Sequence, residues 1–119
     1  MARYVDGYLL PIPKKHIAAY RRISQKVGKV YREYGALEYR ECVGDDLNSK
    51  KVLPFPKVAR AKPGETVVFA WIVFKSRAQR DRINAQVMKD PRLARMASTP
   101  MPFDMKRMAA GGFKVFVDA

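Results

Sequence analysis

The sequence predicts an α+β domain of order βαββαβ: a four-stranded antiparallel sheet with both main helices on one face. Three observations carry this reading. Thr66 to Phe74 is an uncharged run rich in Val, Phe, Trp and Ile, the composition of a central strand. Between Lys14 and Tyr34, the residues Ile17, Tyr20, Ile23, Val27, Val30 and Tyr34 recur at steps of three and four, which places them on one helical stripe. A second helix signal follows the central strand, because Ser76 and Gln79 stand at capping-box spacing.

The elements follow in order. Tyr4 to Leu10 reads as the first strand, closed by Pro11 and Pro13, which cannot donate to a ladder. The amphipathic helix ends at Gly35, and Ala36 to Val43 reads as a half-buried strand. Asp46 to Glu65 is broken by Pro54, Pro56 and Pro63-Gly64 and reads as a surface excursion with a short strand at Lys57 to Ala61. After the central strand, a helix is expected to about Lys89, and Asp90-Pro91 starts a short one. Met96 to Met108 reads as a loop, and Gly111-Gly112 as a turn into a last strand, Phe113 to Val117. With right-handed crossovers, this order is the ferredoxin-like split arrangement. The whole chain, 1–119, is expected to form one such domain.

Alternation along the strands separates two sheet faces. In the central strand Val68, Ala70, Ile72 and Phe74 alternate with Val67, Phe69, Trp71 and Val73. In the first strand Val5, Gly7 and Leu9 alternate with Tyr4, Asp6 and Tyr8. The more aliphatic sets are expected beneath the helices, leaving Tyr4, Asp6, Tyr8, Phe69, Trp71 and Val73 on the other face. A strand apolar on both sides needs cover on both. Two occupants suit it: a second copy of the sheet, with Tyr4, Tyr8, Phe69, Trp71 and Val73 as the dimer interface, or RNA bases stacked on Tyr4, Phe69 and Trp71.

Composition narrows the chemistry. One Cys and one His leave no disulfide framework, multi-thiolate zinc site or His-rich metal site, so no metal and no cofactor are expected. There is no apolar run of ~18 residues and no signal-peptide pattern, and a cytoplasmic protein without membrane partners is the expectation. The formal charge of +13 invites an anionic partner. In an RNA-binding module Lys26, Lys29, Arg77 and Arg80 would be the phosphate contacts, whereas a solvated basic surface explains the same residues more simply.

Few residues point to catalysis. Asp104 stands beside Lys106 and Arg107 in the most distinctive loop, where it could orient a ligand, cap a turn or pair with Arg107. His16 reads as a surface residue at a helix entrance, and Cys42 as a buried, inert thiol. A small-molecule ligand in a cleft between sheet and helices is the leading expectation, with Asp6, Tyr39, Trp71, Asn84, Asp104 and Arg107 as its lining.

Several strings, taken together, resemble the YbaA-like family of small bacterial proteins of unknown function. They are Tyr4-Val5-Asp6-Gly7-Tyr8, Gly35 to Cys42, Val67 to Ile72, Asp90-Pro91-Arg92, Met101 to Asp104, and Lys106-Arg107-Met108 followed by Gly111-Gly112-Phe113. The chain departs from the family pattern at Met105 and Ala110, where Gly and Tyr are usual. The resemblance implies a ferredoxin-like subunit that pairs through its sheet into a dimeric α/β barrel. Its superfamily also includes cofactor-free monooxygenases, an enzymatic alternative that rests on fold analogy alone.

Overall fold

The computed structural model describes residues 2–119. Four strands, β1 (Tyr4–Pro13), β2 (Glu38–Val43), β3 (Glu65–Phe74) and β4 (Ala109–Lys114), form one antiparallel sheet in the order β2-β3-β1-β4. Two longer helices, α1 (Ile17–Glu33) and α3 (Arg77–Met88), make the βαββαβ crossovers, and α2 (Phe55–Val58) and α4 (Pro91–Ala97) are short additions. The expected α+β ferredoxin-like order is the observed one.

The strand boundaries differ in instructive ways. β1 runs through Pro11 and Pro13, which stand opposite Val67 and Glu65. β4 covers β1 only from Tyr4 to Leu9, so beyond Leu9 one side of β1 is free. A proline is tolerated where its missing N–H would face that free side. β4 begins at Ala109, and Gly111-Gly112 lies inside it, opposite Gly7 and Asp6. These glycines serve close approach, not a turn: a Cβ on Gly112 would stand 2.4 Å from the Tyr4 hydroxyl and 2.6 Å from Arg80 Nη2. The short strand expected at Lys57 to Ala61 is instead the helical turn α2, started by Pro54 and Pro56, which suit a first helical turn.

Helix ends follow local chemistry. Gly35, at φ 112°, lets the chain leave α1 while its N–H and that of Ala36 take up the Arg32 and Tyr31 carbonyls. The Ser76 hydroxyl accepts from the Gln79 N–H at 3.1 Å, and the Gln79 side chain reaches back to the Lys75 N–H. Asp90 caps α4 by accepting from the Arg92 N–H at 2.9 Å, as its position before Pro91 led us to expect.

Register settles which face each residue takes. In an antiparallel pair, residues directly opposite share a face. Tyr4, Asp6, Tyr8 and Leu10 stand opposite Phe74, Ile72, Ala70 and Val68, the buried helix-facing set of β3. Tyr4, Asp6 and Tyr8 therefore lie beneath the helices, and the expectation that they share the open face is corrected. Hydrophobicity misled it: Arg80 of α3 reaches Asp6 and Tyr4, so the polar members of β1 are the ones that go inside. The core is Val30, Ala36, Ile72, Phe74, Ile83 and Val87, with Leu10, Ile12 and Val68 at the other end.

Candidate functional site

Between the sheet and the helices lies a cavity of about 330 Å³. Its floor is one cross-strand row, in which Glu41 of β2 stands opposite Ala70 of β3, and Ala70 opposite Tyr8 of β1. Ala70 has the smallest side chain that still packs, so the row dips between a carboxylate and a phenol. Tyr20, Ile23, Val27 and Tyr31 of α1 form the roof, and Met101, Phe103, Met105 and Met108 close the cavity from the loop before β4. That loop is anchored. His16 donates from Nδ1 to the Pro102 carbonyl at 2.9 Å, and Phe103 sets its ring edge-on to Tyr20 at 5.5 Å.

Two of the phenols are committed and two are free. Tyr39 donates to Glu41 Oε2 at 2.6 Å, and Tyr20 donates to the other carboxylate oxygen. This Tyr20-Glu41-Tyr39 wall also lines an outer groove of about 700 Å³ between α1 and β2, edged by Arg21, Lys29 and Arg32. Tyr31 stacks on Tyr39 at 5.9 Å. Among the described residues, the hydroxyls of Tyr8 and Tyr31 have no side-chain or backbone partner. Burial raises all four phenols above the usual tyrosine range, and the Glu41 charge adds to the rise at Tyr20 and Tyr39. They are neutral donors throughout the physiological range.

A polar niche adjoins the cavity across Tyr8. Asp6, only 7% exposed, lies 3.3 Å from Arg80 Nε and accepts from Asn84 Nδ2 at 3.4 Å. Arg80 also donates to the Tyr4 hydroxyl and sits over its ring. The Arg80 Nε–H is not aimed at a partner and Asn84 Oδ1 has none, so the network is packed by charge more than by aligned hydrogen bonds. Burial pushes the Asp6 carboxyl up, opposed by Asn84 and by the Arg80 charge.

The six expected lining residues are thus divided. Asp6 and Asn84 meet in the niche, and Tyr39 walls the cavity. Trp71 borders the cavity from the sheet, but its parity sets the indole on the open face, where it donates to Glu38 at 2.8 Å. Asp104 caps a helical turn through the Lys106 N–H. Arg107 is not paired with Asp104: it forks onto Glu65 at 2.8 and 2.9 Å and donates to the Arg60 carbonyl. Neither residue lines the cavity. Glu41, Tyr8, Tyr20 and Tyr31 were not expected there. The available signal was parity, since Tyr39 and Glu41 share a face of β2.

On the open face the expected set is also divided. Phe69, 42% exposed, Trp71 and Val73 are there, while Tyr4 and Tyr8 are replaced by their neighbours Val5 and Leu9. Phe55, Phe69 and Trp71 form an edge-to-face row at 5.8 and 5.7 Å, and Phe113, 62% exposed, lies over Gly7. The base-stacking trio is not brought together, because Tyr4 is on the other side of the sheet. Of the phosphate contacts considered, Lys26, Lys29 and Arg77 are exposed, but Arg80 is held by Asp6, Tyr4 and Asp81. Cys42 is exposed rather than buried, because it lies on the open face of an edge strand.

Comparison with known proteins places this architecture. Residues 3–105 match the family described as protein of unknown function DUF1428. The chain belongs to that family. Its relatives include the uncharacterized protein YbaA of Escherichia coli K12, 39% identical over 116 residues that cover 98% of each chain. YbaA of Shigella flexneri matches equally. The resemblance to YbaA-like proteins is therefore confirmed across nearly the full length. Among solved structures, a dimeric ferredoxin-like protein from an uncultured marine organism covers all of both chains with a TM-score of 0.58 at 12% identity. That likeness shows the ferredoxin-like fold of this DUF1428 chain. Among the described residues, no helix is long and apolar enough to cross a membrane.

Proposed function

We propose that this DUF1428 protein is a ligand-binding homodimer that holds a small, largely apolar molecule between sheet and helices. The cavity of about 330 Å³ carries the reading, since it lies at the lower end of ligand-pocket sizes and combines apolar walls with a few convergent polar groups. The Tyr8 and Tyr31 phenols support it, because they line the cavity and their hydroxyls have no partner among the described residues, so a ligand there can accept from them. Pairing through the open sheet face is supported by the apolar side chains it exposes and by the dimeric state of the ferredoxin-like neighbour. The same reading places the dimer in the cytoplasm, a reducing compartment in which the exposed, unpaired Cys42 thiol stays free.

The test is binding of N-phenyl-1-naphthylamine, a neutral dye that brightens in apolar surroundings. Saturable binding to the wild type is expected, falling at least about tenfold in Ala70→Leu, whose larger side chain fills the cavity floor. Equal binding to a folded Ala70→Leu protein, or no saturable binding at all, removes the cavity as the site.

A further inference from the structure

The cavity floor carries more than a volume. Glu41, Ala70 and Tyr8 occupy one row across three strands, so the carboxylate and the Tyr8 phenol rise from strands two spacings apart. Two strand spacings are roughly 9.5 Å, about one six-membered ring with a hydrogen bond at either end. Ala70 is the gap between them, and no larger side chain fills it from the floor.

The two ends differ in what they offer. On one side Glu41 accepts from Tyr20 and Tyr39, one phenol on each oxygen. An ionised carboxylate has about four acceptor sites, so accepting capacity remains and no donor is left to give. On the other side Tyr8 and Tyr31 present hydroxyl donors with no protein acceptor among the described residues. Their neutral form is the stable one, so they remain able to donate. Methionines and Phe103 above the row supply polarizable, apolar contact without further polar demands. A ligand that satisfies this arrangement is flat, offers a hydroxyl or N–H toward Glu41, and offers an acceptor toward Tyr8 and Tyr31.

We infer that the cavity takes hydroxy-substituted aromatic carbonyl compounds, bound with the hydroxyl on Glu41 and the carbonyl oxygen on the Tyr8 and Tyr31 phenols across Ala70. This rests on the reading of the cavity as a ligand site. It goes further in assigning the polar groups, because a carboxylic acid would place a second negative charge against Glu41 and a plain hydrocarbon would leave both ends unpaired.

The probe is 7-hydroxycoumarin, compared with its 7-methoxy ether, at a pH where the coumarin hydroxyl is protonated. N-phenyl-1-naphthylamine reports cavity occupancy independently. The wild type is expected to bind the hydroxy compound at least about tenfold more tightly than the ether. Glu41→Gln keeps an acceptor oxygen but loses the charge, and is expected to shrink that preference to less than threefold. Tyr8→Phe is expected to weaken both coumarins while leaving the preference between them. Equal affinity for the two coumarins in the wild type, with the dye still bound, overturns the ligand class and leaves the cavity reading intact. Unchanged coumarin binding in Tyr8→Phe overturns the carbonyl assignment even if Glu41→Gln does not fold. Absence of dye binding overturns the cavity reading itself.

Discussion

The ring of Tyr39 occupies the space that a side chain at Gly28 would need: a Cβ there would stand 2.6 Å from Cδ1 of the ring and 2.8 Å from Cε1. Gly28 lies buried in the middle of α1, where glycine is the poorest ordinary helix former. Its place is explained by the β2 side chain that passes over it, and through Tyr39 it helps set the position of Glu41.

Gly28→Ala should therefore destabilise the protein by up to about 2 kcal/mol, because an overpacking cost of about 1–3 kcal/mol outweighs the gain of about 1 kcal/mol from the better helix propensity of alanine. Urea unfolding measures this. In a Tyr39→Ala background the same change should be neutral or stabilising, and a persistent loss there would show that the clash with Tyr39 is not the cause.

An alkaline titration tests the buried phenols. Tyr8, Tyr20 and Tyr39 have folded-state values raised above the unfolded value of about 10, by burial first and then by neighbouring charge or hydrogen bonding. A raised folded value means that the native state holds its proton more tightly, so this stability is complete below about pH 10 and is lost as pH rises beyond it. Phenolate absorbance should show three tyrosines that ionise only together with unfolding. In Glu41→Gln, Tyr20 and Tyr39 should titrate at lower pH while Tyr8 moves less. Three freely titrating phenols in the native protein would contradict the buried wall.

At acid pH the relevant pair is Glu65 with Arg107. The fork of Arg107 and the Lys62 N–H hold the Glu65 carboxyl down to about 2. A depressed folded value gives stability that is present above the unfolded value of about 4.3 and is lost as pH falls from there toward 2. Thermal melts across that window should show a steeper decline for the wild type than for Glu65→Gln. Parallel declines would mean that the pair adds nothing to acid stability. The same pair ties the loop that closes the cavity to the start of β3, so Arg107→Ala should also loosen dye binding.

How far the site could be read from the residues depended on whether the deciding contact was local. The β3 run, the α1 stripe, the Gly35 stop and the Ser76 and Asp90 caps are all decided within a few positions of chain, and each stands where its residues indicate. The face of β1 is not decided locally. Tyr4-Val5-Asp6-Gly7-Tyr8-Leu9 has apolar or aromatic members on both parities, and only pairing Tyr8 with Ala70, together with Arg80 arriving from a distant helix, turns the acidic set inward. Arg107 shows the same limit: Asp104 was the near acid, but Glu65 on another strand is the partner. For this reason, of the six expected lining residues only Tyr39 and Trp71 border the cavity between sheet and helices.

Phe69 provides the sharpest test of the open face. It sits between Phe55 and Trp71 in an edge-to-face row, is partly exposed, and stands opposite Leu9 and Cys42 on neighbouring strands. Because its side chain points away from α1 and α3, a charged replacement leaves the core beneath them untouched and acts on the open face, where Phe55 of α2 and Trp71 are its neighbours. Phe69→Lys should keep the circular dichroism and melting profile of a folded subunit while converting a dimer to a monomer in sedimentation. In the wild type, Trp71 emission should resist acrylamide, and in Phe69→Lys it should become readily quenched. A wild-type monomer with quenchable Trp71 would dismiss self-pairing through this face, and a Phe69→Lys protein that stays dimeric would locate the interface elsewhere.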